Sequence, residues 1–270
     1  MAEGRIQLKP PRKPENIRHI VAVMSGKGGV GKTTVAVNLA AAFFRLGRRV
    51  SIFDADITGP NVVKALGAEG GQLTVFNDKI VPYKAHGGIG VVSMAFLVGE
   101  GEPIIWRGPL KIKAIQQLFD QTDWGYLDWL IIDLPPGTSD EPLSIMQDLS
   151  LDGVIIVTTP QRLALLDIER AINMVKRLDR RVLGIIENMS YFICPGDVKV
   201  QMFGGNWTDE VAMRTNVPVL GRLPFDPSAA WMTDEGKPFV LFKPESEMSA
   251  EMMRIAEKLE DMLEEKEGQK

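Results

Sequence analysis

Ser25-Gly26-Lys27-Gly28-Gly29-Val30-Gly31-Lys32-Thr33-Thr34 is a glycine-rich turn closed by a lysine and two hydroxyls, and its chemistry is that of a phosphate cradle. It fits the spacing G-x-x-x-x-G-K-[ST]. Glycines without Cβ let successive backbone N–H groups turn inward on a polyphosphate, and a following helix adds the partial positive charge of its N-terminus. Lys32, at the helix start, can reach the β and γ phosphates, and the Thr33 hydroxyl can ligate Mg2+ directly. The expected ligand is a nucleotide with Mg2+.

Carboxylates stand where such a ligand needs them. Asp133 follows the apolar run Trp129-Leu130-Ile131-Ile132, the placement of a Walker B residue that holds Mg2+ through its water shell. Gly137, four residues on, is expected to sense the γ-phosphate through its backbone N–H. Asp54 and Asp56 lie two apart and face the same way in an extended chain. Asp56 is the candidate to orient or deprotonate the attacking water, with Asp54 a secondary contributor near the metal. Each carboxylate also has the plainer use of bonding its own loop. Lys27 comes too early in the loop for the role of Lys32; its glycine neighbours leave it exposed, to solvent or to a facing protomer.

The base leaves a trace as well. A guanine site would show Asn-Lys-x-Asp after a late strand, whereas this chain has Glu187-Asn188-Met189-Ser190. The Asn188 amide can pair with the N6 and N7 edge of adenine, or can serve as a turn former. Leu223-Pro224-Phe225-Asp226-Pro227 would form a second wall, with Pro224 and Asp226 as contacts. ATP is favoured.

These residues need elements to position them. Upstream of the loop, His19-Ile20-Val21-Ala22-Val23-Met24 reads as a buried parallel strand, and residues 35–44 carry an apolar helical face that ends at Gly47. Further strand candidates are residues 50–53, 89–94, 129–132, 154–157, 182–186 and 217–220. Helical spacing occupies 109–119, 141–149 and 165–178. Strand and helix alternate, so the expected fold is α/β, a P-loop NTPase with a mostly parallel sheet and helices on both faces. Residues 72–83, centred on Asn77-Asp78, suggest a hairpin excursion. In such sheets ligands gather beyond the carboxyl ends of the strands, where the loop, Asp54, Asp133, Thr158-Thr159-Pro160 and Glu187-Asn188 all fall.

The bulk properties set bounds. The 270 residues, 45% of them hydrophobic, suit one large domain over residues 18–270, preceded by a flexible basic tail over residues 1–17. No run approaches the ~20 apolar residues of a membrane span, and no signal-peptide stretch opens the chain. A net charge of −4 gives no general attraction to nucleic acid or anionic lipid. A cytoplasmic protein without nucleic-acid or membrane partners is expected. Cys194 is the only cysteine, which excludes an intramolecular disulfide and suits a reducing compartment.

The Lys-Gly-Gly-Val-Gly-Lys-Thr-Thr form of the loop resembles the signature of the MinD, ParA and nitrogenase iron-protein class. There, the early lysine, here Lys27, crosses a dimer interface to the partner's nucleotide. With Asp54-Ala55-Asp56-Ile57-Thr58-Gly59-Pro60, Trp106-Arg107-Gly108-Pro109, Ile131 to Thr138, Thr158-Thr159-Pro160-Gln161 and Glu187 to Phe192, the chain closely resembles the Mrp family of iron-sulfur cluster carrier ATPases over roughly residues 17–256. The resemblance implies a cytosolic homodimeric ATPase that holds a cluster at the subunit interface and passes it to an apoprotein. The family's ligands are a Cys-x-x-Cys pair, but this chain reads Cys194-Pro195-Gly196-Asp197. Asp197 stands where the second thiolate is expected. Either Cys194, aided by Asp197, ligates iron, or Cys194 is an ordinary loop thiol and the chain is a nucleotide-gated dimeric switch or chaperone for a protein client. A positioning role of the MinD or ParA kind needs a lipid or DNA attachment. The helical pattern over 247–265 has a mostly acidic polar face, which anionic lipid would repel.

Overall fold

A computed structural model describes residues 11–97 and 108–267. The Trp106-Arg107 half of one family segment and residues 1–10 of the expected tail lie outside the described residues. In chain order, β1 (Ile17–Ser25) leads through the phosphate loop into α1 (Lys32–Arg45), followed by β2 (Val50–Asp54) and the short α2 (Val62–Ala65). Then come β3 (Thr74–Phe76), β4 (Lys79–Val81), β5 (Tyr83–Ala85) and β6 (Ile89–Ser93). The middle of the chain forms α3 (Gly108–Gln121), β7 (Leu127–Asp133), α4 (Asp140–Asp148), β8 (Gly153–Thr158), α5 (Leu165–Arg177) and β9 (Val182–Glu187). It closes with β10 (Tyr191–Cys194), β11 (Val198–Gln201), α6 (Trp207–Thr215), β12 (Val219–Arg222), α7 (Pro227–Asp234), α8 (Phe239–Phe242) and α9 (Glu247–Glu267).

Eight strands make one sheet in the order β12-β9-β8-β1-β7-β2-β6-β5, parallel throughout except where β5 runs against β6. Strand β1 sits in the middle and is apolar on both faces, the reading its unbroken hydrophobic run demands. Because successive side chains alternate sides, Val21 and Val23 join the core under α1, α8 and α9, while Ile20, Ala22 and Met24 join the opposite core under α3, α4 and α5. Phe43 of α1 stacks on Trp129 of β7 at 3.9 Å between ring centres. Met252, Ile255 and Leu259 of α9 are fully buried, so the acidic helix packs on the sheet. Among the described residues no helix is long and apolar enough to cross a membrane.

Two features sharpen the sequence reading. Asn77 and Asp78 both take positive φ, 49° and 59°, and close β3 on β4 in the two-residue turn that suits a hairpin's twist. The described part of the N-terminal segment is fastened rather than free: Arg12 N–H donates to the Asp148 carbonyl at 2.8 Å, its carbonyl accepts from Ser150 N–H at 2.8 Å, and the Lys13 ammonium meets Asp152 at 2.7 Å.

Candidate nucleotide site

The loop from Gly26 to Gly31 leaves the carboxyl end of β1 at the centre of the sheet, with Gly29 and Gly31 at φ +78° and +82°. Those conformations, and the crowding around the loop, demand glycine. A Cβ at Gly31 would stand 2.3 Å from Nδ2 of Asn188, and one at Gly26 would stand 2.6 Å from the backbone of Asp167 at the start of α5. Val35 N–H donates to the Gly31 carbonyl at 2.9 Å, so α1 begins directly at the loop. Of the expected loop contacts, Gly28 and Gly29 are exposed, Thr34 is half-buried and Val30 is packed into the core.

Lys32 opens α1 and is only 7% exposed; its Nζ meets Oδ1 of Asp133, 1% exposed, at 2.6 Å. Thr33 Oγ1 donates to the other oxygen, Oδ2, at 2.7 Å. The two residues that close the loop therefore grip both oxygens of one carboxylate. The strand register places Asp54 beside Asp133. Asp54 is buried, its Oδ1 accepts from Asp56 N–H at 3.2 Å, and its Oδ2 accepts from Ser93 Oγ at 3.0 Å and Val62 N–H at 3.3 Å. Burial, with Asp133 adding repulsion, pushes the Asp54 carboxyl up to about 8 against the pull of Lys32 and these donors. Burial also raises the Asp56 carboxyl. Asp56 Oδ1 accepts from Thr58 N–H at 3.2 Å and Gly59 N–H at 3.1 Å, and Lys111 of α3 ties that loop down, donating to Thr58 Oγ1 at 2.9 Å and pairing with Glu141 at 3.2 Å.

Not every sequence expectation is met in detail. Gly137 N–H does not point outward for a γ-phosphate: it donates to the Ser25 carbonyl at 2.9 Å, because Gly137 turns at φ +85° back onto β1. Asp226 is the N-cap of α7, with Oδ1 accepting from Ser228 N–H at 2.8 Å and Oδ2 facing the Lys243 ammonium at 2.8 Å. Burial raises this carboxyl, but Lys243 and Ser228 outweigh it and hold it below the usual range. One oxygen thus caps the helix and the other pairs with Lys243. With Pro224, Asp226 lines a cavity of about 310 Å3 beside Phe192, Ile193 and Met248. Asn188 does reach the loop: Nδ2 donates to the Val30 carbonyl at 2.9 Å, while its buried Oδ1 has no partner among the described residues.

Cys194 and Asp197 lie apart from the phosphate loop's hydrogen bonds, at the tip of a second hairpin that the strand expectations did not include. Strand β10 pairs antiparallel with β11, Cys194 opposite Val198, around the turn Pro195-Gly196-Asp197 with Asp197 at φ +59°. Cys194 is half-buried and Asp197 exposed. The ribbon's inner end is bound to the loop after β12, where Phe225 N–H donates to the Tyr191 carbonyl at 2.6 Å. Ser93, Lys111 and Gln161, whose Oε1 accepts from Lys27 Nζ at 2.9 Å, have no role that the sequence alone assigns. Only Gln161 carries a signal, its place just after a strand end.

Phosphate loop, buried lysine and strand-end carboxylates together are the mark of a P-loop nucleotide site. The family model described as ParA: NUBPL iron-transfer P-loop NTPase matches residues 16–260. The chain belongs to this family. It is a nucleotide-binding ATPase by family and fold. It is 43% identical to the iron-sulfur cluster carrier protein of Aquifex aeolicus, covering 94% of this chain and 71% of that relative. To the iron-sulfur cluster carrier protein of Saccharolobus solfataricus it is 44% identical, covering 94% and 87%. Among solved structures, a nucleotide-binding protein from Archaeoglobus fulgidus in complex with ADP superposes with a TM-score of 0.74 at 37% identity, over 83% of this chain and 88% of that one. The cell division ATPase MinD of Pyrococcus furiosus superposes with a TM-score of 0.67 at 25% identity, over 91% and 99%.

Proposed function

We propose that this chain is a homodimeric, ATP-hydrolysing carrier that binds an iron-sulfur cluster through Cys194 and passes it to apoproteins in a reducing, cytoplasmic compartment. The observation that supports the ATP half most directly is the orphaned Oδ1 of Asn188. A buried acceptor without a partner is costly, and the exocyclic amine of adenine is the donor that would relieve it, while guanine offers an acceptor at the same edge. Thr33 and Asp133 supply hard oxygen donors converging on one point, the chemistry Mg2+ takes. Thr33 directly and Asp133 through water would hold the ion, which would supply positive charge against the phosphates.

The remaining roles belong to this chain's own groups. Lys32 exchanges Asp133 for the β and γ phosphates, and the N–H groups of residues 26–34 line the polyphosphate. Asp56 orients the attacking water, with its loop held by Lys111. Asp54, whose carboxyl burial and the neighbouring Asp133 push up, limits the negative charge placed beside Asp133. Lys27 completes the partner's site, a cation delivered at the moment charge develops.

One chain holds one thiol, so the cargo cluster draws one thiolate from each of two chains, with Asp197 as an oxygen ligand beside it. Each hairpin places its Cys194 at the end of a ribbon anchored to the loop after β12 through Tyr191 and Leu223. Anaerobic reconstitution with iron and sulfide, followed by iron counting, tests this reading. The expected result is a visible chromophore on the wild-type dimer and none on Cys194→Ser, with ATP turnover unchanged. A full chromophore on Cys194→Ser would remove Cys194 from the ligand set, and a wild-type protein without chromophore would leave a nucleotide-gated switch or chaperone for a protein client.

A further inference from the structure

The side chain assigned to the facing subunit is bound to its own. Lys27 is half-buried, and its Nζ donates to Oε1 of Gln161 at 2.9 Å, across 134 residues of sequence. Both ends of this contact are held. Ser25 Oγ donates to the Lys27 carbonyl at 2.9 Å, which sets where the lysine leaves the loop. Gln161 follows Pro160 just beyond β8; its N–H donates to the Thr159 carbonyl at 2.7 Å, and its carbonyl accepts from Ala164 N–H at 2.8 Å in the short 3-10 turn ahead of α5. The absence of a side chain at Gly26 lets the backbone of Asp167 press against the loop, so the two segments sit in fixed relation.

The chemistry of the acceptor matters. A carboxylate here would form an ion pair with Lys27 and oppose its departure, whereas an amide oxygen orients the ammonium without neutralising it. Neither Ser25 nor Gln161 carries charge, so the lysine keeps its full attraction for a triphosphate on a second copy. The exposed Leu163 and Leu166, 88% and 63% accessible, flank the same turn and place this contact at the open surface and not in the core.

We propose that Gln161 is a positioning residue that holds Lys27 in cis and releases it to the partner's phosphates when two copies close on ATP. The inference rests on the trans role given to Lys27 above. Release then competes with the Gln161 contact, and the strength of that contact sets how readily the dimer forms.

The test uses the full chain with Gln161→Leu, which keeps the bulk and removes the acceptor, and Gln161→Glu, which adds a charge. Without nucleotide, the rate of amine acylation at Lys27, read by mass spectrometry against exposed lysines, should rise roughly three- to tenfold in Gln161→Leu and fall in Gln161→Glu. With ATP and Mg2+, the protein concentration giving half-maximal turnover should fall by a similar factor in Gln161→Leu and rise in Gln161→Glu. KM for ATP should stay constant in both, and added salt should relieve the glutamate effect. Unchanged Lys27 acylation in both variants, or a Gln161→Leu protein as inactive as Lys27→Ala, would overturn the proposal. Wild-type protein that fails to turn over ATP, or a Lys27→Ala protein with normal turnover, would strike the reading beneath it. Normal wild type, inactive Lys27→Ala and indifferent Gln161 variants would strike this inference alone.

Discussion

Replacing Lys32 by methionine keeps the aliphatic stem and removes the charge, and the structure assigns that change two separate costs. The first is loss of phosphate binding. The second falls on folding itself, because Lys32 and Asp133 are 7% and 1% exposed and meet at 2.6 Å. Breaking a buried pair by deleting one partner leaves an uncompensated charge and typically costs about 3–5 kcal/mol. Asp54 cannot share the burden, since a carboxyl offers no positive charge to Asp133. For a domain of this size each kcal/mol moves the melting temperature by roughly 2–4 °C, so Lys32→Met should melt on the order of 6–20 °C below wild type in protein purified without nucleotide. Adding Asp133→Asn removes the orphaned charge and should restore most of the loss, while ATP binding stays absent. Thermal and urea unfolding of the two single variants and the double variant measures the coupling directly. Melting of Lys32→Met within about 2 °C of wild type, or a double variant less stable than both singles, would refute the ion-pair reasoning.

Asp54 predicts a pH dependence. Burial, with repulsion from Asp133, pushes its folded carboxyl up to about 8 from the ordinary 3.8, so between these values the folded chain binds a proton that the unfolded chain releases. This group's contribution is therefore greatest below about pH 4 and declines as pH rises towards 8, at up to about 1.4 kcal/mol per unit. Urea unfolding of Asp54→Asn across that range should lack this slope, and an identical slope in both proteins would count against it. Asn188→Ala should bind ATP about 10- to 100-fold more weakly by calorimetry and lose its preference over GTP; equal affinities for both nucleotides in wild type would remove Asn188 from the base site. Gly31→Ala forces a methyl group towards Asn188 at a left-handed backbone position, which by itself costs about 1–2 kcal/mol. Both ATP affinity and melting temperature should drop, and an unchanged ATP Kd would show that the loop relaxes freely.

The parts legible in the sequence are contiguous ones. The phosphate loop carries its whole donor set within a single short segment, and Asp54 and Asp133 each close an apolar run, so strand ends locate them without knowledge of the sheet. Strand boundaries differ by a residue or two, as with β7, which begins at Leu127 instead of Trp129. Contacts between distant segments are invisible: nothing local to Lys27 names Gln161, and nothing local to Thr58 names Lys111. The Cys194 hairpin has a signal, two short runs around Pro195-Gly196-Asp197, but the same residues also read as metal ligands. Asp226 is the opposite lesson. An aspartate followed by proline marks a helix start, and that local use takes one of its oxygens, with Lys243 facing the other, although its position after a strand suggests a ligand contact.

Strand β1 runs nine residues, roughly 30 Å, from Ile17 beside the fastened Arg12 and Lys13 to Ser25 at the edge of the phosphate loop. The anchored segment and the reactive loop therefore sit at opposite poles of the sheet. A molecule immobilised on a bead or sensor chip through a tag ahead of Pro11 would present its reactive pole outward, with the Arg12 and Lys13 bonds taking up the pull before it reached β1. That geometry makes front-end tethering the natural format for watching two copies meet.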